Sequence, residues 1–185
     1  MFIAITGLHA SGKSYFIHNI PEVYGFEVYD KKDIVKKLCK KETERNDYWE
    51  WYKEEYNKNP YDITYKILSE LPFDKNIMLD AVHSYKEWKI IKSINKEAII
   101  VLVTTPEMIR ATRWEEGDKE KDKMRIKYWH SDYEGESGCL LTEVSWSFNG
   151  AASLETNIAN FEELIHCYGL NNNNNKNKQK ILTRK

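Results

Sequence analysis

The chain has 185 residues and a mass of 22.0 kDa, with 41% hydrophobic and 31% charged residues. That length supports one domain with a sizeable core, and the composition excludes a membrane-embedded or wholly disordered protein. The formal net charge is −1, yet five of the 28 basic residues fall in the last fifteen positions, which leaves 23 basic against 29 acidic residues in the rest. An acidic body is a poor general surface for nucleic acid, which recruits clustered Lys and Arg. Nucleic acid therefore stays open as a partner but is not favoured.

Ala98–Val103, the longest apolar run, is too short to span a bilayer, so no membrane partner is expected. Met1 leads straight into Phe2-Ile3-Ala4-Ile5, without the charged and apolar regions of a secretory leader. Cys39, Cys139 and Cys167 are widely spaced and form no C-x-x-C, which argues against a disulfide framework and for reduced thiols in the cytoplasm. Cys39 and Cys167 fall on apolar helix faces and read as core.

In chain order, Phe2–Thr6 is a short apolar strand, followed by a glycine-bearing loop and a helix from about Lys13 to Ile20. Phe26–Tyr29 is a second strand, and Asp30–Lys40 a helix with Ile34, Val35 and Leu38 on one face. Arg45–Asn57 and Tyr61–Leu71 read as helices divided by Asn59-Pro60. Ile77–Leu79 is a third strand closed by Asp80, Tyr85–Ile94 a helix, and Ala98–Thr104 a buried fourth strand. Pro106–Trp114 opens a helix, and a charged stretch from Glu115 to Lys127 follows. Val144–Phe148 is a fifth strand, and Leu154–Tyr168 an amphipathic helix that Gly169 stops. The segment 171–185, with five consecutive Asn, has almost nothing to bury and is expected to be a disordered appendage to a domain over 1–170. Alternating strands and helices predict an α/β fold with a five-stranded parallel sheet between helical layers, its ligands beyond the carboxyl ends of the strands.

Gly7-Leu8-His9-Ala10-Ser11-Gly12-Lys13-Ser14 fits G-x-x-x-x-G-K-[ST] directly after the first strand. Glycines let backbone amides wrap a triphosphate, so Gly7, His9, Ala10, Ser11 and Gly12 are the candidate ATP cradle. Lys13 reaches the β- and γ-phosphates, and Ser14 holds Mg²⁺. A GTPase would carry N-K-x-D after a strand, but Asn95-Lys96-Glu97-Ala98 lacks the Asp and precedes its strand. Asp132-Tyr133-Glu134-Gly135 matches D-x-x-G without following a predicted strand. A small kinase fits the length best.

Asp80, closing the third strand, is the candidate second Mg²⁺ ligand, through a water; the competing reading is a helix N-cap. Arg110 and Arg113 lie three apart after strand four, and Arg125 follows in the charged stretch. Their planar donors suit a phosphoryl clamp carried on a closing lid at about 115–140, where excluding water matters.

On these residues the chain resembles the nucleoside monophosphate kinase-like group of P-loop kinases, and within it the dephospho-CoA kinases and their archaeal relatives. The likeness lies in Ile3–Gly7 running into the loop, in Val28-Tyr29-Asp30-Lys31-Lys32-Asp33-Ile34, in Ile77–Ser84 with Glu87, and in Val101–Val103 through Arg113. Asn149-Gly150 with Ser153-Leu154-Glu155 is similar to the turn beside the adenine in that group. The resemblance implies a three-layer P-loop kinase fold with a helical acceptor-binding insert at about 30–75, and Asn149 and Gly150 at the nucleotide. Ala81 and His83 depart from it, standing where the group carries Gly and Arg.

Two acceptors are chemically distinct. A phosphate acceptor needs cations, whereas a hydroxyl gains from a carboxylate base. Asp30 and Asp33 tilt the reading toward a hydroxyl, with either as base, although Lys31, Lys32, Lys36 and Lys37 could serve a phosphate. Tyr48, Tyr52 and Tyr56 form a helical stripe that could stack on a base, against the plainer reading of packing. The expectation is transfer of the γ-phosphoryl group of ATP, with Mg²⁺, to a nucleotide-like small molecule. The rivals are a kinase of a nucleic-acid hydroxyl or modified base, and a nucleotide-binding regulator without an acceptor.

Overall fold

In the computed structural model, which describes residues 1–169, the elements in chain order are β1 (Phe2–Thr6), α1 (Lys13–Asn19), β2 (Phe26–Asp30), α2 (Lys31–Glu42), α3 (Tyr48–Lys58), α4 (Pro60–Ser69), β3 (Asn76–Asp80), α5 (Tyr85–Ile94), β4 (Ile99–Thr104), α6 (Glu107–Ala111), α7 (Asp118–Trp129), β5 (His130–Tyr133), β6 (Glu136–Cys139), β7 (Trp146–Asn149) and α8 (Leu154–Cys167). The segment 171–185, read above as a disordered appendage, lies outside the described residues.

Five parallel strands form one sheet in the order β2-β3-β1-β4-β7. All of β1 is buried, as a strand covered on both faces must be. Its alternate residues go to opposite layers. Phe2 and Ala4 join Ile77, Leu79 and Ile100 beneath α2–α5, where Val35, Trp51, Ile63, Trp88 and Ile91 pack. Ile3 and Ile5 join Met78, Val101 and Phe148 beneath α1 and α8, against Phe16, Phe161 and Leu164. The result is a three-layer α/β/α molecule. Parallel pairing brings the carboxyl ends of β1, β2, β3 and β4 to one edge, with Asp30 directly opposite Asp80 in the register.

Three expectations need correction. Cys39 is buried, but Cys167 is exposed; it lies two residues past Ile165 and so points away from the face that packs on the sheet. The charged stretch after Glu115, to which no element was assigned, forms the helix α7, and an antiparallel hairpin, β5–β6, follows it that was not predicted. The D-x-x-G string is that hairpin's turn. Glu134 and Gly135 both have positive φ, 52° and 84°, the pair that a two-residue primed turn requires. Helix α3 starts at Tyr48 rather than Arg45, because Thr43 and Arg45 belong to the loop that ends α2: the Thr43 hydroxyl donates to the Cys39 carbonyl and accepts from the Arg45 amide.

Candidate active site

Between β1 and α1 the chain bends through Gly7, Ala10 and Gly12, at φ 152°, 55° and 92°. A side chain at Gly7 would put its Cβ 2.4 Å from the Val103 carbonyl oxygen, so only glycine lets the loop lie against β4. Five consecutive carbonyls of the bend are engaged from outside it or by its own lysine. Gly7 O accepts from Lys13 Nζ (3.0 Å) and Arg125 Nη1 (2.9 Å), and Leu8 O from Lys13 Nζ (2.7 Å). His9 O accepts from Arg110 Nη1 (3.2 Å), Ala10 O from Arg113 Nη1 (3.4 Å) and Ser11 O from the Thr105 hydroxyl (2.8 Å). The amides of Ala10, Gly12, Lys13 and Ser14 find no acceptor among the described residues.

Those residues line a cleft of about 540 Å³, together with Tyr15, Arg113 and Gly150–Leu154. Gly150 sits against the loop: a Cβ there would be 1.7 Å from Ser11 O. Asn149 shapes this turn, its side chain accepting from the Ala151 amide (2.9 Å). The Lys13 ammonium is held down at a pKa of about 8, by burial first and by Arg125 second, with Asp80 opposing.

Helix α7 crosses the loop on its other side. Sequence reading missed Asp122, which is 5% exposed and central to this contact. Its Oδ1 accepts from the His9 amide (2.7 Å) and from His9 Nδ1 (2.9 Å), and its Oδ2 pairs with Arg110 Nη1. Burial pushes the Asp122 carboxyl up, but the His9 and Arg110 hydrogen bonds outweigh it and hold it below the usual range. Arg125 Nη2 lies 3.5 Å from His9 Nε2 and 3.4 Å from His83 Nε2. Burial and then Arg125 lower the pKa of both histidines, with Asp122 opposing at His9. No motif marks Asp122; it is one acid in a run of charges.

At the sheet edge, Asp80 Oδ1 is buried without a hydrogen-bond partner. Burial raises its pKa, opposed by Lys13. An orphaned carboxylate oxygen beside Lys13, with the Ser14 hydroxyl lining the cleft, fits the oxygen donors that Mg²⁺ takes. Asp30 caps α2, accepting from the Lys32 amide (2.7 Å). Asp33 is not brought to this cluster: it is exposed and pairs with Lys36 at 3.3 Å. Beneath Asp30, Lys31 is buried against Glu87 (2.8 Å), whose other oxygen accepts from the His83 amide (3.1 Å). Tyr52 lies under the Lys31 ammonium, and the Tyr56 hydroxyl meets Ser84 Oγ at 3.1 Å, so this part of the tyrosine stripe is packing. Asp122 is the site's addition to the residues picked from sequence.

No protein-family model matches the chain, and no curated protein matches it in sequence. Solved structures do. TT1252 from Thermus thermophilus is similar at a TM-score of 0.59 and 17% identity, over 90% of this chain and 96% of that one. Shikimate kinase from Aquifex aeolicus is similar at 0.50 and 16% identity, over 93% and 100%. At these identities the likeness is one of fold. With its five parallel strands and helices on both faces, the chain has the α/β P-loop kinase fold.

Proposed function

We propose that the protein is an ATP-dependent small-molecule kinase that transfers the γ-phosphoryl group, with Mg²⁺, to a nucleotide or nucleoside-like acceptor. The observation that carries this reading is the loop's polarity. Its carbonyls are tied outward, and four unpartnered amides remain beside Lys13 along an open cleft. Such a nest of N–H groups suits a polyphosphate. Gly150 and the turn from Asn149 to Ser153 bound the cleft's far end, where the base would lie. Ser14 and Asp80 would hold Mg²⁺, which when bound neutralises charge on the phosphates. Lys13 and Arg125 stand where a transferring group would develop negative charge.

The acceptor side favours a hydroxyl. Most of its candidate cations are paired: Lys31 with Glu87, Lys36 with Asp33, Lys37 with Glu70, and Arg45 with Asp47 and Glu54. Asp30, opposite Asp80 at the sheet edge, is the carboxylate best placed to take the hydroxyl proton.

Labelled ATP offered with a panel of nucleosides, nucleotides and polyols tests the proposal. Transfer to a hydroxyl compound is expected, and Lys13→Ala should lower it at least about a hundredfold, the scale of losing one preorganised charge. Tight MgATP binding with no transfer to any acceptor would mark a regulator instead.

A further inference from the structure

A chain of polar contacts joins the lid to both sides of the cleft. Arg110 pairs with Asp122, and Asp122 Oδ1 accepts from the His9 amide and from His9 Nδ1. That contact assigns the His9 proton to Nδ1 and leaves Nε2 as an acceptor. His9 Nε2 and His83 Nε2 both face Arg125 Nη2, at 3.5 and 3.4 Å, while Arg125 Nη1 donates to Gly7 O at 2.9 Å. Arg125 is thus held by the phosphate loop on one side and by the segment after β3 on the other.

Arg110 occupies a different place. It is 6% exposed, its Nε donates to Thr105 O (3.2 Å) and its Nη1 to His9 O (3.2 Å). It lines a separate cavity of about 160 Å³ with Leu8, Ser11 and Trp129, whereas Arg113 lines the nucleotide cleft. Asp122 does not line that cleft either, so a nucleotide can enter without displacing it.

We propose that Asp122 and Arg110 are positioning residues, which act through His9 to hold the Arg125 guanidinium between the phosphate loop and the Asp80–His83 segment, and that Arg110 does not itself touch the transferring phosphoryl group. The proposal deepens the kinase reading and rests on it. Asp122 fixes the His9 tautomer, His9 offers Nε2 to Arg125, and Arg110 supplies the charge that keeps Asp122 ionised in its buried position.

The test is a mutant cycle on phosphate release from MgATP, with water as acceptor so that the natural acceptor need not be known. Arg125→Gln is expected to slow release at least about a hundredfold. Asp122→Asn and Arg110→Gln are each expected to cost about tenfold, the scale of losing an orienting contact, and the double variant no more than either alone. In the Arg125→Gln background, Asp122→Asn should change the rate by less than about twofold, because what it positions is gone. A full tenfold cost in both backgrounds, or additive costs for Asp122 and Arg110, overturns the proposal. Should Asp122→Asn fail to fold, His9→Gln in the same two backgrounds asks the same question. Without nucleotide, amide exchange at His9 should quicken in Asp122→Asn and not in Arg125→Gln; equal protection in wild type and Asp122→Asn also overturns it. A wild-type protein that releases no phosphate and binds no MgATP sinks the kinase reading, whereas an active enzyme with additive costs sinks only the positioning role.

Discussion

Lys13 illustrates how one side chain is tuned by what surrounds it. Burial, and after it the Arg125 charge, lower its pKa from 10.5 to about 8 in the free protein. Between those values the unfolded chain binds more protons than the native one, so this lysine makes the free protein more stable as pH rises from about 8 toward 10.5. A triphosphate reverses the balance, because an opposite charge favours the ammonium form. Binding MgATP near pH 8.5 should therefore take up part of a proton. Calorimetry in two buffers of different ionisation enthalpy should give different apparent binding enthalpies, and Lys13→Met should remove the difference. Identical enthalpies in both buffers for the wild type would contradict it. Lys13 could be picked from sequence because its neighbours are local: the glycines that place it lie within six positions. Asp122 could not, because its partner His9 is 113 residues away. Among Asp118, Glu120 and Asp122, local sequence gives no reason to choose the one that meets the loop.

At the scale of elements, strands were legible wherever burial on both faces made them continuously apolar, as in β1 and β4. Helices were legible wherever an apolar stripe faced the sheet, as Ile34, Val35 and Leu38 do in α2. The β5–β6 hairpin was not, because its strands mix exposed and half-buried positions and carry no apolar alternation to read. The join between α2 and α5 was also hidden. It depends on Lys31 and Glu87, each with a side chain 4% exposed and set 2.8 Å apart. Two charges removed from water stabilise little as a pair, but either one left alone is costly. Lys31→Met or Glu87→Gln should each destabilise the protein by about 3–5 kcal/mol in urea unfolding. Replacing both with Met and Leu should recover most of that loss. Additive losses in the double variant would show that the two charges do not depend on each other.

Across the whole molecule, the glycine-rich loop between β1 and α1 is a junction of the fold. It touches β4 through Gly7, α7 through Asp122 and Arg125, α6 and the residues after it through Arg110 and Arg113, and the turn after β7 through Gly150. Parallel alternation predicted which edge of the sheet carries the candidate site, but not that Arg110, Arg113 and Arg125 would rest on loop carbonyls, since that contact exists only once α6 and α7 fold across β1. A ligand gripped at such a junction should stabilise the entire fold by mass action. MgATP at about a hundred times its dissociation constant contributes about 2.7 kcal/mol. For a domain of this size that raises Tm by about 5–10 °C. ATP with a chelator should give a smaller shift, because the carboxylate of Asp80 is then left facing the phosphates without a cation between them. Gly150→Ala should lose the shift: its Cβ, 1.7 Å from Ser11 O, must push the loop away from the turn and so disorganise the amides. Thermal unfolding of the two proteins with and without MgATP checks this. A Gly150→Ala variant that folds and still gains the full shift would mean that the cleft does not depend on the contact between turn and loop.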